Sequence, residues 1–303
     1  MSIVPDPSTQ ASDSLPSTLT AQQWLAPPPP TVRATLSYLV PGDEKPVHYS
    51  YEPPPGEPWE SGRYEETQIS IGDARMLDGQ PSIHREGFEL WDAPTELRNY
   101  NDPDEIRRAY YPELEALATR VTGGRRAYVF DHLVRQRESD RGPLTFGRSQ
   151  RGQHAAPNAR IHNDYTEQSG RRRLSLVLGA DISGGPMPRY CIINVWRSLR
   201  GPVLDTPLAI CDARSVDASD LVEAEVRYPR RNGEIYLAVR AQRHSWWHYS
   251  GLDRHEALVF KQYDSRLSGV SRFVPHAAFL HPEAPADALP RISIEARCLV
   301  LMD

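Results

Sequence analysis

The chain has 303 residues, 25% charged and 39% apolar, and its 35 basic against 40 acidic side chains leave a net charge of −5. This is the balance of a folded protein long enough to bury a substantial core, and it lacks the basic excess of a general nucleic-acid binder. No apolar run reaches the roughly 18 residues of a membrane helix, and the first residues lack the basic start and apolar run of a signal peptide. Cys191, Cys211 and Cys298 stand far apart in apolar segments. They form neither a disulfide framework nor a CxxC metal site, so a reducing, cytoplasmic setting is expected.

Thirteen of the 28 prolines fall in residues 1–60, including the runs at 27–30 and 53–55, which favour extended conformations. Residues 1–30 are too poor in apolar side chains to fold alone and are expected to be a disordered arm. Residues 31–303 are expected to form one domain. Residues 31–40 and 47–51 are rich in β-branched and aromatic side chains and predict strands.

A helix is predicted after Asn101–Asp104. Pro103 suits its first turn, and Ile106, Tyr110, Leu114, Leu117 and Val121 recur every three or four residues. Pro112 should kink or restart it, and Gly123–Gly124 should stop it. Residues 127–134 read as a buried strand. Strands are then predicted at 190–196, 234–240, 256–264 and 292–302, separated by turns. Regular short strands with long loops predict a sandwich or barrel.

The sharpest local feature is Ile161-His162-Asn163-Asp164. On extended backbone the side chains of His162 and Asp164 share a face, because the strand period is two. Two histidines and one carboxylate on one face of a metal make the facial triad of non-haem Fe(II) oxygenases. A third ligand must come from later strands, and the candidates are His244, His248, His255, His276 and His281. His244 follows the strand at 234–240 and opens an aromatic-rich segment. His255 reads as surface, and His276 as structural or supporting.

Several strings, in this order, carry a resemblance to a known family: VFDHLVRQR (129–137), IHNDYTEQSG (161–170), INVWRSLRGPVLDTPLAICDARSV (193–216), HSWWHY (244–249), EALVFKQYDS (256–265), SRFVPHAAF (271–279) and SIEARCLV (293–300). From about residue 128 to 302 the chain resembles the gibberellin desaturase-like family. That family includes fungal hydroxylase/desaturases of the AsaB type and the cephem methoxylase component CmcJ. The resemblance implies a mainly β fold with flanking helices and a double-stranded β-helix core, the jelly-roll or cupin-like fold. It also implies an Fe(II)/2-oxoglutarate-dependent oxygenase that hydroxylates or desaturates a small specialised metabolite. Carried over residue by residue, it assigns His162 and Asp164 to the metal and matches His244 to the distal ligand. Tyr165 departs from the pattern, since many relatives carry glutamine there.

With Fe(II), 2-oxoglutarate and O₂ as the implied cofactor set, the far carboxylate of 2-oxoglutarate needs a fixed cation. Lys261, in the strand at 256–264, is the leading candidate, ahead of Arg272 and Arg297. A lysine in so apolar a strand also needs a partner, and Asp264 could supply it. Asn194, with Trp196 and Arg197, could line the co-substrate pocket. Tyr165, Trp246, Trp247 and Tyr249 could line the substrate pocket, and the 142–160 loop could act as a lid. Asp131 and His132 read as supporting residues, Asp212 and Arg214 as a loop-ordering pair, and Arg171–Arg173 as a solvated face.

The expected partner is a small molecule, with no nucleic acid or membrane. A homodimer or a partner tailoring enzyme such as a methyltransferase is compatible with the sequence. Two rival readings stay open: an accessory subunit without catalysis, and a cupin-like metalloenzyme that does not use 2-oxoglutarate.

Overall fold

The computed structural model describes residues 30–138, 142–147, 154–179 and 187–303. The expected arm falls outside these residues except for Pro30, as does part of the expected lid, including Arg148 and Arg151. β-Branched and aromatic runs form the strands. β1 (Thr31–Leu39), β2 (Val47–Tyr49), β3 (Tyr64–Asp73) and β4 (Phe88–Asp92) precede the helical segment, and β5 (Arg126–Gln136) follows it. β6 (His162–Asn163) leads into a helix, after which come β7 (Tyr190–Ser198), β8 (Leu208–Cys211), β9 (Leu221–Tyr228) and β10 (Arg231–Ala238). The chain closes with β11 (Trp246–His248), β12 (Glu256–Asp264), β13 (His276–Ala278) and β14 (Ile292–Leu301).

These strands form two sheets. The larger has nine strands in the order β1-β3-β11-β8-β13-β6-β10-β9-β2, and the smaller has five in the order β4-β12-β7-β14-β5. They are the two layers of the expected jelly-roll.

The smaller sheet has two different faces, because side chains alternate along each strand. On one face Cys191, Ile193, Val195, Val259, Ile294, Ala296 and Val300 pack against the helical segment. On the other, Trp196, Leu258 and Phe260 pack against Leu208 and Ile210 of the larger sheet and against Val274, just before β13. The space between the sheets is therefore the inner face, and the polar site lies there.

The helical segment is α1 (Pro103–Glu105), a π-helical stretch at Ile106–Tyr110, and α2 (Tyr111–Thr122). Pro103 stands in the first turn, and the Asp102 side chain accepts from the Asp104 N–H. The expected disturbance at Pro112 takes the form of the preceding π stretch, in which the Tyr111 N–H bonds the Ile106 carbonyl. Pro112 thereby falls in the first turn of α2, where its missing N–H costs little. Gly123 ends α2 at φ 68°, a left-handed conformation that glycine adopts freely.

β3, β4, β8, β9, β11, β13 and the helix α3 (Glu167–Leu178) are not among the predicted elements. Thr166 and Ser169 form a reciprocal capping box at the start of α3. Gly170 lets α3 lie against Tyr263, since a Cβ there would meet the ring at 2.6 Å. Among the described residues, no helix is long and apolar enough to cross a membrane.

Candidate metal centre

β6 is only two residues long, but it is clamped in place. The Asn163 Nδ2 donates to the carbonyls of Tyr165 (2.8 Å) and Gln262 (2.9 Å), and its Oδ1 accepts from the Val274 N–H. The Gln262 Oε1 accepts from the Asp164 N–H at 2.7 Å. Asn163 thus faces away while its two neighbours face the inner space. The His162 Nε2 lies 3.6 Å from the Asp164 Oδ1, as the strand period requires.

The third member is His276. It stands at the register of His162 across the β13–β6 pair, with ring centroids 4.3 Å apart. Ligand atoms of His162, Asp164 and His276 all lie within 4.8 Å of one another.

Each ring is oriented by a backbone carbonyl two residues earlier. The His162 Nδ1 lies 2.8 Å from the Arg160 carbonyl, and the His276 Nδ1 lies 3.3 Å from that of Val274. A proton on each Nδ1 satisfies these carbonyls and leaves each Nε2 as the acceptor, the tautomer a metal needs, with the Asn158 Nδ2 3.4 Å from the His162 Nε2. Burial, reinforced at His162 by the neighbouring His276, pushes both imidazoles down to about 4, so both are neutral at pH 7.

Asp164 is held by one oxygen. Its Oδ2 accepts from the Asn194 Nδ2 and the Arg297 Nε, both at 2.8 Å, and its Oδ1 faces His162. Burial alone would raise this carboxyl, but Arg297 and the two histidines outweigh it and hold it far below the usual carboxylate range. Arg297 reaches two further carboxylates, Asp131 and Glu295, each at 3.1 Å. Burial and the nearby Asp164 charge push Glu295 up.

Another cation occupies the same inner face. Arg291 is 3% exposed and lies over the Trp196 ring at 5.3 Å. Its Nη1 donates to the Thr206 carbonyl at 2.7 Å, while its Nε and the nearby Ser293 Oγ have no hydrogen-bond partner. Among the described residues no carboxylate comes within salt-bridge distance of it. Burial and neighbouring Arg135 push its guanidinium down to about 9. A buried cation without a counter-ion is costly.

Several expected site residues lie elsewhere. His244 is not with His162 and Asp164. Its Nδ1 is 3.0 Å from the Tyr38 hydroxyl and its Nε2 is 3.1 Å from the Asp220 Oδ2. The reason is topological: the strand after His244, β11, pairs with β3 and β8, and β13 takes the place beside β6. His248 is buried near Phe279 and His281, and His255 is exposed as expected.

Lys261 is fully buried but projects from the helix-facing side of β12, where it pairs with Asp264 at 3.0 Å. Its neighbour Phe260 takes the inner face instead. Arg272 pairs with Glu167 at 2.6 Å and donates to the Asp264 carbonyl. Arg297 and Asn194 are at the centre, engaged with Asp164. Arg197 bonds the Tyr110 hydroxyl and the Arg254 carbonyl on the helix-facing side.

Of the expected pocket aromatics, Trp246 donates to the Tyr38 hydroxyl within the core, Trp247 packs over Gly72, and Tyr249 lies against Phe88. Trp246 is a core residue because β11 is interior to the larger sheet, Trp247 is half-buried, and Tyr249 lines a separate cleft with Arg75 and Glu256. Tyr165 alone lines an open cleft of about 310 Å³ that reaches Asp164 and Arg297 between α3 and the β9–β10 hairpin. Asp131 pairs with Arg297, His132 lies 2.7 Å from the Tyr111 hydroxyl, and Asp212 pairs with Arg214 at 2.6 Å.

His276 was among the five candidate third ligands but expected to be structural or supporting, and Arg291, Ser293 and Glu295 were not among the expected site residues. A usable signal existed for His276, a lone imidazole inside the apolar run Val274-Pro275-His276-Ala277-Ala278-Phe279.

Comparison with known proteins gives this geometry a context. A family model described as an oxidoreductase/YMDC permease-like domain matches residues 36–301. The chain is similar to a hydroxylase/desaturase of Hormonema carpetanum, 31% identical over 265 residues, which covers 80% of this chain and 85% of the relative. It is 30% identical over 261 residues to a hydroxylase/desaturase of Cercospora beticola, covering 80% of this chain and 78% of the relative. An Fe(II)/2-oxoglutarate-dependent dioxygenase of Aspergillus novofumigatus (strain IBT 16806) is 28% identical over 266 residues, covering 86% of this chain and 92% of the relative. Among solved structures, the iron and alpha-ketoglutarate-dependent endoperoxidase NvfI shares the fold. It matches at a TM-score of 0.77 and 24% identity over 90% of this chain and 98% of that one.

Proposed function

The chain belongs to the oxidoreductase family that includes the hydroxylase/desaturases of Hormonema carpetanum and Cercospora beticola, and from that membership we propose that it is an Fe(II)- and 2-oxoglutarate-dependent oxygenase of a small molecule. The observation that carries this reading is the His162–Asp164–His276 group, whose ligand atoms lie within 4.8 Å of one another, with the Nδ1 of each ring turned to a backbone carbonyl. That donor set suits a divalent iron and leaves the opposite face open. When bound there with 2-oxoglutarate and O₂, the iron supplies the oxidant that removes a hydrogen atom from a substrate C–H bond. Hydroxylation and desaturation both begin with that abstraction.

The remaining work falls to the protein's own groups. Asn194 and Arg297 fix Asp164 so that it offers one oxygen. The Arg160 and Val274 carbonyls fix the ring tautomers. Arg291, buried with no carboxylate within salt-bridge distance among the described residues and beside the unpartnered Ser293 Oγ, would hold the far carboxylate of 2-oxoglutarate. A carboxylate there would neutralise the guanidinium and fill its open Nε. The packed apolar layer of Trp196, Leu258 and Phe260 keeps water from this side of the site. Three buried free cysteines support a reducing, cytoplasmic setting.

The reading is tested by incubating the purified protein with Fe(II), 2-oxoglutarate and O₂ and measuring succinate. Slow substrate-independent turnover is expected, and it should vanish in His276→Ala and in His162→Ala. Turnover that persists in both variants would contradict the assignment. An accessory subunit would form no succinate, and neither would a metalloenzyme that ignores 2-oxoglutarate.

A further inference from the structure

The cleft that reaches Asp164 has an uneven charge distribution that the metal site does not use. Four arginines line it, Arg172 and Arg173 from α3, Arg231 from β10, and Arg297. Three carboxylates do too, Asp131, Asp164 and Glu234. Arg297 is engaged by both aspartates as well as by Glu295, and Glu234 is engaged through Oε1 by Lys45 at 2.9 Å while its buried Oε2 has no hydrogen-bond partner. Among the described residues no carboxylate lies within 4.0 Å of Arg172, Arg173 or Arg231. Arg171 differs from its two neighbours, because it pairs with Glu167 at 3.0 Å and is the solvated member of the run.

Two of the three unpaired cations are held in place. The Arg173 guanidinium lies over the Phe130 ring at 4.6 Å and the Tyr165 ring at 5.9 Å, and its buried Nε has no hydrogen-bond partner. The Arg231 guanidinium lies over Tyr228 at 4.2 Å on the opposite wall. Stacking fixes a guanidinium plane while leaving edge N–H groups free to bond an anion. Between these walls Leu176, Val226 and Ile235 supply apolar surface.

We infer that this cleft receives a substrate whose carbon skeleton is apolar and which carries a carboxylate, gripped between Arg172 and Arg173 of α3 and Arg231 of the hairpin. The cation positions would fix how far the skeleton extends toward Asp164, and so which carbon faces the metal. This last step rests on the triad being the reactive centre. Binding of the anion does not.

The test uses a matched pair of probes, 8-anilinonaphthalene-1-sulfonate and N-phenyl-1-naphthylamine, which differ by one anionic group. Each is titrated by fluorescence against the full-length protein. The anionic probe is expected to bind at least tenfold more tightly, with an affinity that falls as salt rises. The triple substitution Arg172→Gln, Arg173→Gln and Arg231→Gln should remove that preference and leave the neutral probe unchanged, with an unaltered melting temperature. His276→Ala should keep the preference, which separates this inference from the metal assignment. Equal affinity for the two probes, no binding of either, or a preference that survives in the folded triple variant would overturn it.

Discussion

His276 and His162 are register partners on adjacent antiparallel strands, and each ring is oriented by the carbonyl two residues before it. A one-residue slip of β13 would move His276 to the other face of the sheet. The sheet pairing therefore builds the candidate metal centre, which makes a sharp contrast between two histidines available. His276→Ala should abolish Fe(II) binding, and its stability cost should be that of the cavity left where the buried ring packs on His162 and Phe260. His244→Ala should keep Fe(II) binding but cost about 1–3 kcal/mol, because it leaves Asp220 and the Tyr38 hydroxyl unpaired. Iron content and urea unfolding of the two variants check this.

Arg297 holds the Asp164 Oδ2 while also facing Asp131 and Glu295. Replacing it with glutamine leaves a cluster of carboxylates without its shared cation. Fe(II) affinity should fall about 10–100-fold, the scale typical of removing a ligand's supporting partner. Asn194→Ala should act in the same direction and more weakly, since Arg297 still bonds that oxygen. Anaerobic metal competition titrations measure both.

Arg291→Gln should raise the KM for 2-oxoglutarate at least tenfold and leave Fe(II) affinity near that of the wild type. Lys261→Met should do neither. Its cost should fall on stability, because Asp264 loses one of its two cation partners while Arg189 remains at 3.0 Å. A KM for 2-oxoglutarate that rises in Lys261→Met and not in Arg291→Gln would reverse the assignment of the anchoring cation.

The two neutral imidazoles make the protein acid-sensitive. His162 and His276 titrate at about 4 in the folded state, against an ordinary value of about 6.5. Between those pH values the unfolded chain binds more protons than the folded one, so stability rises with pH. Stability is full above about pH 6.5 and is lost as pH falls toward 4, by up to about 3 kcal/mol for each ring. Asp164, held below its usual range, loses its contribution at lower pH still. Melting temperature of the metal-free protein across pH 4–7.5 should therefore fall on the acid side. Fe(II) uptake at pH 7 should release almost no protons, because the three ligands are already in their binding forms. Calorimetry in buffers of different ionisation enthalpy checks the second point, and a buffer-dependent heat would contradict it.

Much of the fold was legible because β-branched alternation reports strands directly. The 256–264 strand was read to its observed ends. Period-two logic also placed His162 and Asp164 on one face. What sequence could not supply was which strand lies beside β6, since that depends on pairing between segments more than a hundred residues apart. His244 stands just before one short strand and His276 opens another, and only sheet order separates them. The face of Lys261 was hidden for a related reason. Alternation says that Lys261 and Phe260 face opposite ways, but in a strand buried on both sides it does not say which way is inward. Arg172 and Arg173 were read as solvated because α3 was not predicted, and without the helix the run has no cleft-facing side.

In the proposed site His276, and not His244, completes the metal centre. The most direct measurement is an anaerobic titration with Fe(II) and then 2-oxoglutarate, following the weak visible charge-transfer band of the chelate. The band is expected in the wild type and in His244→Ala, and no band in His276→Ala. A band that survives in His276→Ala and disappears in a folded His244→Ala would contradict it.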